Sequence, residues 1–365
     1  EKGGCRQIRW EHIGEKSFRC LKYIKKLRNF LIEEKIDILH LRARLPAWIG
    51  YLAWKSIPYE QRPCLVTTFH GFYSVNSYST IMTKGERVVA VSKTIKEHIL
   101  ENYGTRDDKL VLIHGGFEED QFNPTNVSAA RVQKLKDKWG LTDSNVPVII
   151  LPGRLTQWKG QDFFIDSLAR VDKKFIALCV GDTDENPSFT KRLREKISGY
   201  GLQDNIRLVG HCDDMPAALL TCDLVVSASS TQPEAFGKVA IEAMAMAKPI
   251  IATAHGGSLE TVVDGTTGWL VEPLNIQDMS QCISDSLEDR EKLSKMGEMG
   301  RGWVLDHFTA EVMCRKTIHL YREVLDEKAR LQVKEKLTIL QMLPDLEGGG
   351  VERGTLEMGG FCLLY

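Results

Sequence analysis

The sequence has nine cysteines, but none of them forms a C-x-x-C pair: Cys5, Cys20, Cys64, Cys179, Cys212, Cys222, Cys282, Cys314 and Cys362 are scattered. That spacing excludes the common zinc and dithiol motifs and argues against a disulfide framework; several lie in apolar runs, as reduced cytosolic thiols do. The chain also lacks a charge excess. Its 48 basic and 49 acidic residues leave a net charge of −1, so bulk electrostatics give no reason to expect a nucleic-acid partner. No apolar run reaches membrane-spanning length, and the first residues do not read as a signal peptide. A Walker A loop is missing, and so is a clean G-x-G-x-x-G, which weighs against a nicotinamide oxidoreductase. What is present is 365 residues with 43% hydrophobic and 27% charged side chains, enough for two ordinary domains with large cores.

Short apolar runs alternate with longer helical patterns. Strands are expected at Ile36–Leu41, Cys64–Phe69, Val88–Val91, Leu110–Ile113, Val146–Leu151, Phe175–Val180, Ile206–Val209, Leu224–Ser227, Pro249–Thr253 and Gly268–Val271. Brief strands separated by helices indicate parallel sheets covered on both faces. The stretch from Phe117 to Asn145 breaks the rhythm with Asp120, Asn123, Pro124, Thr125 and Asn126, and reads as an interdomain connection. The expected division is 1–125 with 337–365, then 126–309, with 310–336 as a crossing helix or linker. Two doubly wound α/β halves would meet there, and ligands in such folds bind beyond the carboxyl ends of strands.

The tail is unusual. Leu337–Leu343 has a strand pattern and is followed by Gly348-Gly349-Gly350 and a helical segment. Strand, glycine loop and helix is how a nucleotide-binding half begins. The expectation is a circular permutation, or segments out of natural order, with this stretch preceding residue 1 in the fold.

Several motifs carry chemistry. In Pro233-Glu234-Ala235-Phe236-Gly237-Lys238-Val239-Ala240-Ile241-Glu242, a buried strand gives way to a helix near Gly237. Helix N-terminal N–H groups suit a phosphate or sugar oxygen, and Glu234 and Glu242 add two acceptors. A capping carboxylate and a solvated helix glutamate would give the same pattern. Gly153-Arg154 through Lys159-Gly160 puts a planar cation and a point charge beyond a strand, as a diphosphate requires; a polar loop with incidental basic residues is the plainer reading. Gly349 and Gly350 could bring backbone N–H groups against a ligand, or form a plain turn. His70, in Thr67-Thr68-Phe69-His70-Gly71-Phe72, ends a strand beside a glycine. His255 also follows a strand. Asp182-Thr183-Asp184 matches a D-x-D metal motif, but its Asp/Asn/Pro setting favours a turn. Ser17–Glu33 is a basic amphipathic pattern, suited to an anionic membrane surface or to packing with a solvated basic face. For Trp48, Tyr51 and Trp54, core packing outweighs a membrane-facing patch.

Together, Gly153-Arg154, Lys159-Gly160, Pro233 through Glu242, Gly256-Gly257 with Glu260, Asp264-Gly265, Gly268 and the glycine loop at 348–350 resemble the family 4 retaining glycosyltransferases of the GT-B fold. His70-Gly71-Phe72 also matches. The wording there is similar to bacterial lipopolysaccharide-core and surface-glycan enzymes. The resemblance implies two Rossmann-like domains facing across a cleft, the first (1–125 with 337–365) reading the acceptor and the second (126–309) holding the nucleotide-sugar donor. It implies that Arg154 and Lys159 grip the diphosphate, and that Glu234 and the backbone of Ala235, Phe236 and Gly237 hold the sugar. Glu242 would bond the ribose. Gly153 and Val239 complete the donor set, Gly349 and Gly350 approach the phosphates, and His70 contacts the sugar near the reacting centre. No metal or cofactor is implied. The implied partners are a nucleotide-sugar, UDP-linked or with GDP or ADP instead, and a glycan or lipid-linked acceptor. The implied location is the cytoplasm, with the inner membrane face as a candidate surface. A nucleotide-sugar epimerase or hydrolase, or a non-catalytic nucleotide-sugar-binding protein, would share these features.

Overall fold

The structure, a computed structural model, describes residues 6, 8–10, 21–141, 145–328 and 338–342. Its strands are β1 (Ile38–Leu41), β2 (Cys64–Phe69), β3 (Arg87–Ala90), β4 (Leu110–Leu112), β5 (Val148–Pro152), β6 (Ile176–Val180), β7 (Ile206–Gly210), β8 (Leu224–Ser227), β9 (Ile250–Thr253), β10 (Gly268–Val271) and β11 (Ile339–Met342). They form two sheets, ordered β11-β1-β2-β3-β4 and β10-β9-β8-β5-β6-β7, and every pairing is parallel. Parallel strands need crossovers, and buried faces on both sides explain why β2 and β8 are buried along their whole length.

The chain divides into two compact units, 1–116 with 310–365 and 117–309. The segment expected as an interdomain connection belongs to the second unit. Phe117 and Phe122 are buried, Phe117 donates its N–H to the Phe308 carbonyl at 3.0 Å, and Asn123 caps a short turn through the Thr125 N–H. Its polar residues make local caps, which in sequence look like linker composition. The helix Ala310–Glu327, expected as a crossing element, packs on the first sheet. Met313, Cys314, Leu320, Tyr321 and Val324 share a core with Ile38, Cys64, Val66 and Val89.

In the first unit, β11 lies beside β1 in register, Ile38 opposite Ile339. The helix Lys22–Glu33 buries Tyr23, Leu27 and Leu31 and leaves Lys22, Lys25 and Lys26 exposed. Its apolar stripe is thus used for packing, with a solvated basic face. Trp48 and Trp54 donate their indole N–H groups to the carbonyls of Tyr78 and Pro63, so these half-buried rings tie helix Arg44–Lys55 to neighbouring loops. No helix among the described residues is long and apolar enough to cross a membrane.

In the second unit, Phe164, Ile165 and Leu168 of helix Gln161–Leu168 pack with Ile149, Leu151, Cys179 and Val226. Strand β5 is central. From it the chain continues to β6 on one side, whereas β8 and β9 lie on the other. The carboxyl end between β5 and β8 is therefore a topological switch point, where departing loops leave room for a ligand.

Candidate functional site

Three loops of the second unit leave the carboxyl ends of β5, β8 and β9: Gly153–Gly160, Ala228–Gly237 and Ala254–Gly257. Each is locked by glycine. Gly160 adopts φ +74° and starts helix Gln161–Leu168; a Cβ there would lie 1.8 Å from the Ala228 carbonyl oxygen. Gly256 (φ +61°) and Gly257 let the β9 loop press onto the β8 loop, since Cβ atoms there would meet Glu234 oxygen at 2.2 Å and Phe236 backbone at 2.4 Å. The Gly257 N–H donates to the Glu234 carbonyl at 2.8 Å. Gly237 (φ +84°) then turns the chain into helix Lys238–Ala245. Such approaches need a residue without Cβ.

This framework brings Lys159 and Glu234 together. The Lys159 ammonium donates to Glu234 Oε1 at 2.5 Å, with the side chains 17% and 13% exposed. The pair joins the β5 loop to the β8 loop at the switch point, and its reduced solvation strengthens the attraction relative to a surface pair. The ammonium keeps two further donors for an anion and the carboxylate keeps three lone pairs for hydroxyls. Gly153, at φ +149°, passes its N–H to the Val180 carbonyl and sits under the Lys159 stem. Arg154 stays 64% exposed, 4.0 Å from Glu185; its carbonyl accepts from the buried Gln161 side chain at 2.9 Å. Ala235 and Val239 are half-buried and Phe236 is buried, with Phe236 set edge-on against Phe308. Glu242 is 8% exposed, inside the helix that Gly237 starts; it is not a solvated helix glutamate.

Ser229 and Ser230 were not picked out from the sequence, though two hydroxyls directly beyond a buried strand are a usable signal. Ser229 Oγ lies 3.0 Å from both Thr253 Oγ1 and His255 Nε2. Ser230 donates to the Gln157 carbonyl. His255 is thus held to the β8 loop, and burial above all lowers its pKa, against the opposing pull of the Ser229 backbone and Glu234. The Asp184 N–H donates to Asp182 Oδ1 at 2.8 Å, so this D-x-D makes an Asx-turn.

In the first unit, His70 stands at the end of β2. Its Nε2 is buried without a hydrogen-bond partner among the described residues. Burial, then Arg42 and His40, hold its pKa well below the ordinary histidine value. Nearby, His40 bridges Tyr321 Oη and Thr68 Oγ1, both at 2.6 Å, and is also held neutral, by burial first and Arg42 second. Gly349 and Gly350 lie outside the described residues.

His40 carries a pH consequence. Below about pH 6.5 an unfolded histidine binds a proton that the buried one resists. The unfolded state then holds more protons, so stability falls as pH falls through this window, by up to about 1.4 kcal/mol per pH unit from His40 alone. Chemical denaturation at about pH 7.5 and 5.5 should show the first unit unfolding earlier in acid; equal midpoints would contradict the buried neutral state.

Residues 133–303 match the family model "Glycosyl transferases group 1", and residues 3–121 match "Glycosyltransferase Family 4". A crystallised glycosyltransferase of Rickettsia africae is 35% identical, with a TM-score of 0.78, over 88% of this chain and 84% of that one. Anabaena Alr3699/HepE, solved in complex with UDP and glucose, is 25% identical with a TM-score of 0.70, over 85% and 82% of the two chains. Mannosylfructose-phosphate synthase of Agrobacterium fabrum is 26% identical over 59% of this chain, which spans 48% of that protein's length. With two parallel α/β sheets of this topology, the chain belongs to the glycosyltransferases and has the GT-B fold.

Proposed function

We propose that this glycosyltransferase moves a sugar from a UDP-sugar to a glycan or glycolipid acceptor with retention of anomeric configuration. The observation that carries the reading is the half-buried Lys159–Glu234 pair at the switch point of the second sheet. An ammonium beside a helix N-terminus suits a diphosphate, and a carboxylate beside it suits sugar hydroxyls. In this reading Lys159 and Arg154 bind the diphosphate, with Gly153 allowing the approach. Glu234 and the backbone at Ala235, Phe236 and Gly237 hold the sugar, flanked by Val239, and Glu242 takes the ribose. His70 contacts the transferred sugar, and Gly349 and Gly350 the phosphates. UDP is preferred as carrier because the Anabaena relative was solved with it.

In the proposed step, the bond from the anomeric carbon to the diphosphate oxygen breaks as the acceptor oxygen attacks from the same face. The acceptor's proton passes to the departing phosphate, whose growing charge Lys159 and Arg154 stabilise. Trapping a covalent glycosyl-enzyme would overturn this route in favour of double displacement.

Six described cysteines are free thiols, which supports a cytoplasmic location. The exposed basic face of helix Lys22–Glu33 supports contact with an anionic membrane surface, where a lipopolysaccharide-core or similar lipid-linked acceptor would lie. The place of β11 beside β1 supports a circular permutation, with β11 as the leading strand of the first unit.

Thermal unfolding with UDP, GDP and ADP tests the donor. At saturation, a ligand at a hundred times its Kd adds about 2.7 kcal/mol, which raises Tm by roughly 5 °C or more. UDP should stand out. No shift with any of the three would sink the donor assignment, and rapid isomerisation of a UDP-sugar without acceptor would turn the reading towards an epimerase.

A further inference from the structure

The carboxyl end of β1 runs into Arg42-Ala43-Arg44, and Arg44 opens the helix Arg44–Lys55. Its guanidinium lies over two rings of the β2–β3 connection, 4.6 Å from Tyr73 and 5.5 Å from Tyr78. The backbone that carries both rings is pinned from elsewhere. Tyr103 Oη is within hydrogen-bond distance of the Tyr73 and Ser74 carbonyls, at 3.1 and 3.2 Å. Trp48 Nε1 donates to the Tyr78 carbonyl at 3.0 Å, and Asn76 Oδ1 accepts the Ser79 N–H at 2.9 Å. The guanidinium thus lies over two rings carried by an anchored loop.

The edge of that guanidinium is underused. Of five N–H donors, one finds a partner among the described residues, Ser79 Oγ at 3.3 Å. No carboxylate among them lies within ion-pairing distance of Arg44. The charged groups that act on Tyr73 are the cations Arg44 and Arg42, and Arg42 also acts on His70. Arg44, Tyr73 and Tyr78 are half-buried, so solvent reaches them. An arginine that serves packing alone is commonly paired with an acid or bound to carbonyls. This one lies over two aromatic rings, in the first turn of a twelve-residue helix. A planar fork in that state suits two oxygens of a phosphate or carboxylate, and the ring edges suit the apolar face of a sugar.

We propose that Arg44, framed by Tyr73 and Tyr78, is the anion-reading element of the acceptor site, and that the acceptor is a saccharide bearing a phosphate or carboxylate. This rests on the reading that the first unit takes the acceptor. The specificity it supplies is electrostatic: a neutral acceptor leaves the fork unpaired, whereas an anionic one fills it.

The test is an NMR titration of the full chain, with and without saturating UDP, using glucose 6-phosphate, glucuronate and glucose as probes. One or both anionic sugars should bind, and glucose should not; which of the two binds identifies phosphate or carboxylate as the group read. Binding should weaken as salt is raised. Arg44→Gln should weaken it by about tenfold or more, and Arg44→Lys, which keeps the charge but loses the fork, by less. UDP affinity should be the same in all three proteins. Equal binding of glucose and its anionic forms, unchanged affinity in R44Q, or displacement of the sugar phosphate by UDP would each overturn the proposal. If R44Q does not fold, Tyr78→Leu and the salt dependence of the unaltered chain decide in the same way. Failure of the donor reading would show separately, as a chain that binds no UDP while its response to the anionic sugars persists.

Discussion

Lys159→Ala is expected to lower sugar transfer by on the order of a hundredfold or more while leaving the fold intact. The loss has two parts. One is the cation that would meet the diphosphate as charge develops on the leaving group, an interaction that strengthens in the transition state and so acts on kcat. The other is indirect. Lys159 and Glu234 are 2.5 Å apart and both mostly shielded from water, so removing the ammonium leaves a poorly solvated carboxylate without its partner. That carboxylate would then repel an incoming diphosphate. Glu234→Ala should cut transfer to a similar extent, by loss of the sugar contact and release of the ammonium from its position. Because each change damages the other group, the double variant K159A/E234A should fall well short of the product of the two single effects. Measuring kcat/KM for the four proteins checks this, with UDP affinity measured alongside. Near-normal transfer by both single variants would remove these residues from the site. Full multiplicativity would mean that the pair does not act as a unit.

The pair was only half legible in the sequence. Lys159 and Glu234 could each be placed beyond the end of a strand, because apolar runs such as Leu224–Ser227 and Val146–Leu151 mark strands whose carboxyl ends carry function. That the two strands are neighbours is a property of the sheet order, in which β5 and β8 pair across two intervening strands of sequence. No local pattern encodes it. The same holds for the tail: its strand pattern was readable, but its neighbour β1 was not. Composition suggests a linker where the compact units show none. Asn123, Pro124 and Thr125 look like a linker, yet they form a capped turn beside the buried Phe117 and Phe122. Helix Ala310–Glu327 shows the opposite difficulty. Its charged outer face reads as a bridge, while Met313, Tyr321 and Val324 are spaced to pack on a sheet. Arg44 went unremarked because a lone arginine has no signature; its interest comes from two rings thirty residues away.

Gly160→Ala is expected to be the most damaging single methyl addition in the second unit, costing roughly 3 kcal/mol or more. Two penalties add. At φ +74° an L-residue pays about 1–2 kcal/mol for the left-handed region. The added Cβ also falls 1.8 Å from the Ala228 carbonyl oxygen, where ordinary contact is nearly twice that. Both sides of the clash are backbone, so no rotamer change relieves it, and Ala228 is fixed at the end of buried β8. Relief requires the β5 loop to move off the β8 loop, which displaces Lys159 from Glu234 and should abolish the stabilisation by UDP in whatever fraction folds. Gly201 separates the two penalties. It has φ +68° in the same unit, but nothing lies within 4 Å of its Cβ position. Gly201→Ala should therefore cost only about 1 kcal/mol, the conformational part. Urea denaturation of the two variants, followed by a probe in the second unit, gives the comparison directly. A G160A midpoint no lower than that of G201A would show that the β5 and β8 loops are not in the close contact on which the placement of Lys159 against Glu234 depends.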